Sequence, residues 1–480
     1  MEISRKRYSQ SLVIFGCVAI ILFIFSPGKD EYPAAIVGII SFFSTQFLWP
    51  HCRWKGPYHL SPTNIALLLF GIQLILIPLL IVTFGPSLVT LPWLPSPLAI
   101  NVSLLIDSIA YLSFCFFYQL FNFRDLAASS CKSPKLTNTR KQTLPIMGIY
   151  LTILYAVIGF VGVYFLFTDV ETYINYLSSA SHRLQVAEEM TGSLRGAIST
   201  LTRPFLGYSL VLGWSLYVDK LKSQGPFKKK ARLITLLVVI GLIFVNITFS
   251  FNRAAVLIPL LGVTAVFSAE VRHLSLKSLI ILGAFTIVSG LLWKQYILSG
   301  LMINDFLDPE LILRIVEEID LFGQIQLYGS SAHFLGYLLE KSNFGTKLYW
   351  GETICSSLFY PIPIIGKSFR DTSGPVVYNS MIYGGYGIID QIIPFRGELF
   401  MNFHIPGVIG GYALMAYLVF KIDKAFKGAH HSFERYCWFI MGYWIAFSVI
   451  GGISIVSQIY VFLIWPIYFY LLILSMRIRI

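Results

Sequence analysis

Residues 395–421 read FRGELFMNFHIPGVIGGYALMAYLVFK. Arg396 and Glu398 open the stretch, and no Asp, Glu, Lys or Arg follows until Lys421, so an apolar run of membrane-crossing length begins where a charged loop ends. Crossing the hydrocarbon takes roughly twenty residues. Working outward from this run, others that meet or approach that length lie near 9–26, 34–49, 62–83, 98–120, 144–167, 204–218, 233–249, 254–269, 278–297, 435–453 and 455–475. With the quoted run near 398–420, they predict an all-α fold, a polytopic bundle of about twelve transmembrane helices. Composition agrees, with 56% hydrophobic residues, 12% charged residues and a mean hydropathy of +0.71.

The basic residues orient the ladder. With the N-terminus inside, 24 of the 36 Lys and Arg fall in inner segments, among them Arg5 to Arg7, Arg124 to Lys141 and Lys220 to Arg232. An even number of crossings returns both termini to that side, expected to be the cytoplasm. The net charge of +12 therefore reports topology and anionic inner-leaflet lipid, not nucleic acid. Ser26-Pro27 closes the first run with no small-x-small cleavage site, which predicts an uncleaved first span. No phosphate-binding G-x-x-x-x-G-K-[ST] motif and no C-x-x-C spacing occurs, so neither ATP hydrolysis, a cofactor nor a metal is expected.

The chain divides into nine spans over 1–297, with an outer loop near 168–203; a large outer loop over 298–397; and three spans over 398–480. In the large loop Leu311, Ile312, Ile315, Leu321 and Phe322 recur at helical spacing, predicting helices that lie on the membrane surface. Beyond Asn343 the loop turns rich in Gly, Pro, Tyr and Ser, the composition of irregular backbone in which sites are often built.

Three arginines stand at the outer ends of spans, where positive charge is disfavoured: Arg203, Arg253 and Arg396. Each alone can extend to lipid headgroups. Together they suit one pyrophosphate, since guanidinium groups match its oxygens in pairs. Near Arg396 stand groups able to move protons. Glu398 is expected as a base or as the ion-pair partner of Arg396 or Arg370. His404, beside Pro406, is expected as a second base or as a hydrogen-bonding partner of a neighbouring helix. Asp371, Asp390 and His333 complete the set, with His333 expected at a helix surface. Tyr378, Tyr383 and Tyr386 suit a platform for sugar rings or an interfacial belt. Arg396 and Gly407 are eleven residues apart, three turns on one helix face, and Gly407 with Gly411 allows close approach of another helix. Asp107, within a span, is costly unless paired or facing a cavity.

The quoted stretch, its Arg/Glu pair leading through Asn402-Phe403 to a Gly-rich helix, resembles the segment after the large loop in O-antigen or repeat-unit polymerases of the Wzy type. SFNRAAVLIPLLG (250–262) resembles the Arg-Ala helix start of the same proteins, and the twelve-span layout is similar throughout. That resemblance implies a multi-helix, GT-C-like glycosyltransferase fold and a glycan donor on undecaprenyl pyrophosphate. The implied reaction occurs on the outer face of a bacterial inner membrane, without metal or nucleotide sugar. The arginines would steady the departing pyrophosphate and Glu398, or next His404, would deprotonate the acceptor hydroxyl. Arg370, Asp371, His333 and the three tyrosines would bind sugar. A chain-length regulator and a flippase are the implied protein partners. An O-antigen ligase is the nearest alternative, and a lipid-linked oligosaccharide flippase or other transporter is the alternative from another class.

Overall fold

The computed structural model describes residues 2–49, 60–88, 91–129, 144–167, 193–223, 228–249, 253–272, 320–329, 332–345, 348–362, 365–384 and 392–477, with a few isolated positions besides. The described residues hold helices and no strand. In chain order they are α1 (Glu2–Phe25), α2 (Ala35–Leu48), α3 (Pro62–Phe84), α4 (Pro97–Ser129), α5 (Leu144–Leu166), α6 (Leu194–Thr202), α7 (Pro204–Ser223), α8 (Lys228–Phe249) and α9 (Arg253–Glu270). After them come α10 (Leu321–Tyr328), α11 (Ala332–Lys341), α12 (Glu352–Phe359), α13 (Gly374–Tyr383), α14 (Phe395–Gly428), α15 (Ser432–Phe447), α16 (Ile453–Phe462) and α17 (Trp465–Arg477).

Four described stretches are long and apolar enough to cross a membrane: Pro62–Phe84, Pro97–Asp125, Gly148–Leu166 and Phe395–Gly428. A fifth is added if α16 and the following helix, bent by 55° at Leu463–Ile464, count as one. Other runs expected to cross form shorter helices, such as the 14 residues of α2 and the 16 of α15. At about 1.5 Å per residue each spans roughly 21–24 Å, less than the hydrocarbon thickness. The expected span at 278–297 lies outside the described residues.

Local sequence explains several starts and breaks. Ser61 caps α3 by accepting the Asn64 amide hydrogen, with Pro62 in the first turn where its missing N–H costs nothing. Inside α3, Ile72–Leu76 winds as a π-helix. Residues before it, such as Ile65 and Phe70, join the main core, whereas Ile77, Leu80 and Ile81 after it join a smaller core with Tyr32, Ile100 and Leu104.

The largest departure from expectation is α14. Its residues form two helical arms, 395–403 and 405–428, that fold back on each other at His404 (φ 58°, ψ −152°). The Phe395 and Tyr412 rings lie 5.3 Å apart, a separation of about 25 Å on a straight helix. Gly407 and Gly411 do permit close approach, but the partner is the preceding arm. A Cβ on Gly407 would fall 2.6 Å from the Leu399 carbonyl oxygen, and one on Gly411 would strike the Leu399 side chain. Pro406 thus stands in the first turn of the second arm, where proline is tolerated. The eleven-residue spacing of Arg396 and Gly407 does not put them on one face, because no single helix joins them.

A second correction concerns the expected surface helices. Residues 332–339 of α11 are all buried, packed against α4, with Gly336 against the backbone of Ala99 and Ile100. HFLGYLL is apolar nearly all round, and such a helix is buried rather than laid on a surface. Gln326 of α10 joins it to the end of α3, accepting the Ser87 amide hydrogen (2.9 Å) and donating to the Gly85 carbonyl (3.0 Å). Glu340 accepts the Ser96 amide hydrogen at the start of α4 (2.6 Å). The positions Leu311, Ile312 and Ile315 lie outside the described residues.

At the end of the bundle rich in Lys and Arg, α7, α9 and α15 are fastened together. Glu270 of α9 takes Lys222 of α7 and Arg435 of α15 as ion-pair partners and accepts the Ser432 hydroxyl hydrogen. Asp219 of α7 accepts the Ser432 amide hydrogen (3.1 Å) and pairs with Lys222 and His431. Burial alone would raise the Asp219 pKa, but hydrogen bonds from His431 and Ser432 and the Lys222 charge outweigh it and hold it below the ordinary aspartate value.

Candidate functional site

The first arm of α14 carries both candidate charges. Arg396 and Glu398 are two residues apart on a helix that begins at Phe395, so they point about 200° away from each other. They serve two separate environments.

Arg396 faces α4. Its Nε pairs with Asp107, and both side chains are sealed from solvent. Its Nη1 donates to the Val449 carbonyl (3.5 Å), which also receives Gln73 Nε2 from the π-helical turn of α3 (3.2 Å). That carbonyl is available because α15 and α16 are separated by an unwound stretch at 448–452. Its Gly451 carbonyl likewise takes the Phe395 amide hydrogen (3.0 Å). Tyr412 of the second arm lies within electrostatic reach of both Asp107 and Arg396. Asp107 is thus the paired intramembrane-type acid anticipated from its position, and its partner is 289 residues away in the chain.

Glu398 faces α12 and α13. Ser357 donates its hydroxyl hydrogen to Glu398 Oε1 (2.5 Å), and the Gly374 amide donates to Ser357 Oγ (3.0 Å). The Ile453 backbone amide also addresses the carboxylate. Gly374 opens α13 and Ile453 opens α16, so the buried carboxylate sits against two helix N-termini, whose dipoles favour an anion. Gly374 leaves room for this carboxylate, since a Cβ there would displace it. Asn402, one turn on, extends the same face by donating to Thr353 Oγ1 (2.6 Å) and accepting the Gly351 amide hydrogen (2.8 Å). Neither Arg396 nor Arg370 pairs with Glu398.

His404 forms the reversal itself. It is exposed, its ring lies 4.3 Å from that of Phe400, and Gly345 of the loop before α12 rests against it. Its φ/ψ combination is one that glycine adopts and other residues seldom do, costing about 1–3 kcal/mol. Phe403 beside it is also exposed, and Trp350 stands exposed on the neighbouring loop.

The other candidates are dispersed. Arg203 joins α6 to α7, with Nε directed to the Ser199 carbonyl (3.3 Å) and its backbone against Gly162 of α5. The start of α9 at Arg253 is described, but its side chain is not among the described side chains. Thus Arg203 and Arg396 rest on different helices, α5 and α4. Arg370 and Asp371 are exposed on the turn before α13. Tyr378 is no open platform: it is buried and its hydroxyl donates to the Phe334 carbonyl (2.8 Å). Tyr383 is half-buried, and Tyr386 and Asp390 lie outside the described residues. His333, expected at a surface, is 0% exposed, and neither ring nitrogen has a hydrogen-bond partner among the described residues. Burial lowers its pKa to about 3, so the ring is neutral.

Sequence reasoning did not reach Ser357, Thr353, Gln73 or Val449. Gln73 alone carried a signal, as the one amide in the apolar run 65–82. Among the described residues no three His, Cys, Asp or Glu gather closely enough to hold a metal. Compared with known proteins, the chain matches no family model, no curated protein and no solved structure.

Proposed function

We propose that this chain is a polysaccharide polymerase of the O-antigen type. It moves a growing glycan from undecaprenyl pyrophosphate to a lipid-linked repeat unit at the outer face of a bacterial inner membrane. The proposed architecture is the twelve-crossing, GT-C-like one with both termini cytoplasmic, and a chain-length regulator and a flippase work beside it. The observation that carries the reading is His404, an exposed imidazole held at a strained reversal between two helical arms, with the Phe400 ring 4.3 Å away and the exposed Phe403 next to it in the chain. An acid–base group beside aromatic faces is what a sugar hydroxyl needs for binding and deprotonation. The base is therefore His404, and Glu398 is a positioning residue that holds α12, α13 and α16 around it. Arg203 and Arg253 remain the candidates for the carrier's pyrophosphate, because the charge of Arg396 is already met by Asp107.

Two substitutions at one position test this. His404→Gln should lower polymer synthesis by roughly 10²–10⁴ in rate. His404→Gly should do the same while raising the thermal midpoint, because glycine removes about 1–3 kcal/mol of backbone strain. Turnover near the wild-type rate in His404→Gln would overturn the assignment of the base. At the level of the cell, a deletion strain should carry a single repeat unit on its lipid core. Polymer left on the carrier would indicate the ligase.

One observation favours the transporter as a second reading. The Asp107–Arg396 pair joins a helix of membrane-crossing length to the short arm 395–403, beside an unwound turn and a π-helical turn, features that discontinuous transporter helices share. A deletion strain lacking both polymer and capped core would support it.

A further inference from the structure

We propose that the space between Gln73, Ser103, Asp107, Arg396, Tyr412 and the Val449 carbonyl is a binding site for ordered water. Four atoms there have no hydrogen-bond partner among the described residues: Gln73 Oε1, Ser103 Oγ, Asp107 Oδ2 and the Tyr412 hydroxyl. All four side chains are buried. They come from three separate helices, and the contacts described above draw them together. Gln73 and Arg396 share the Val449 carbonyl, Arg396 pairs with Asp107, and Tyr412 is near both charges. Ser103 stands one turn from Asp107 on the same face of α4.

An unpaired buried polar atom costs about 1–3 kcal/mol, so four in one place call for a ligand. Other buried hydroxyls of the bundle are answered by protein atoms: Tyr155 donates to the Pro466 carbonyl (2.6 Å), and Thr63 shares a hydrogen with Tyr118 (2.7 Å). The chemistry of the leftover atoms selects the ligand. The amide and carboxylate oxygens accept only, while the two hydroxyls donate or accept. A cation is disfavoured by the Arg396 guanidinium at the same place, and an anion by the Asp107 carboxylate. A neutral molecule with two hydrogens and two lone pairs satisfies both kinds of atom, and buried water ordinarily makes two to four such bonds.

The test needs no substitution for its main arm. Brief X-ray irradiation of the purified full-length protein splits bound water, and the radicals oxidise adjacent side chains. A scavenger suppresses radicals from bulk solvent. Tyr412 should then be oxidised several-fold faster than Tyr155, which is equally buried but bonded to a carbonyl. Equal rates for the two tyrosines would overturn the proposal. Gln73→Leu, which keeps the bulk and removes the amide, should cut the oxidation of Tyr412 while leaving that of Tyr155 unchanged. Oxidation of Tyr412 at the wild-type rate in that variant would place the water away from Gln73 and refute the site as drawn.

Discussion

Two groups of buried charge among the described residues are built in opposite ways. Around Glu270 every carboxylate meets several donors from neighbouring helices, and the cations are partly exposed, with Lys222 at 30% and Arg435 at 19%. Around Asp107 a single carboxylate meets a single guanidinium, both fully enclosed, with acceptor atoms left over. The first arrangement is redundant and holds three helix ends together. The second stands or falls with one pair. Redundancy marks a fastening; a single fully enclosed ion pair marks a place where charge is kept for use, since well-packed apolar residues would hold the helices as well or better.

The largest effect should appear where redundancy is lowest. Arg396→Leu leaves the Asp107 carboxylate buried without its partner and should destabilise the protein by about 3–5 kcal/mol. Adding Asp107→Leu should recover most of that loss, because the uncompensated charge is gone. Thermal unfolding of the two variants in detergent measures both values. A double variant no more stable than Arg396→Leu would break the contrast by showing that the pair carries packing rather than charge.

His333 extends the comparison to a buried polar group with no partner among the described residues. Its folded pKa of about 3 lies below the ordinary 6.5, so the unfolded chain binds a proton that the folded chain refuses. The stability linked to this ring is fully present above pH 6.5 and declines as pH falls toward 3. His333→Phe should abolish that part of the pH slope and stabilise by about 1–3 kcal/mol through removal of unsatisfied nitrogens. Unfolding midpoints across the acid range would show it, and an unchanged slope would assign the pH response to other groups such as Asp219.

The smallest effect belongs to the redundant cluster. Lys222→Met should cost no more than about 1 kcal/mol, because the lysine is partly exposed and Glu270 keeps Arg435 and Ser432. A loss approaching that of Arg396→Leu would erase the distinction between the two clusters.

The helical class and several of the crossing helices were legible in the sequence because a run of apolar residues states its solvent directly. So was the need for Asp107 to find a partner. Its partner was not legible, since Arg396 is remote in the chain and carries a plausible use of its own. The reversal at His404 was hidden for a different reason. His404-Ile405-Pro406 followed by Gly407 and Gly411 reads equally as a kinked span that accepts another helix, and only tertiary packing shows that the other helix is residues 395–403. The burial of His333 was not legible because the one-sided apolar spacing from Leu311 to Phe322 stops short of it, and the segment it belongs to is apolar on nearly every side.

The π-helical turn at Ile72–Leu76 bears on how this chain tolerates insertions and deletions. One residue turns an α-helix by about 100°, and a π-helical turn carries about one residue more than the α-helical turn it replaces. The wide turn absorbs that extra residue, so the two ends of α3 keep the phase that turns Phe70 to one core and Ile77 and Ile81 to the other. Loss of a single residue here would let the turn relax to an ordinary α-helix with every hydrogen bond kept and both ends still facing their cores. The same loss in the α-helical parts of α3 would rotate everything beyond it by about 100°. Phase, more than length or composition, is what this helix has to conserve.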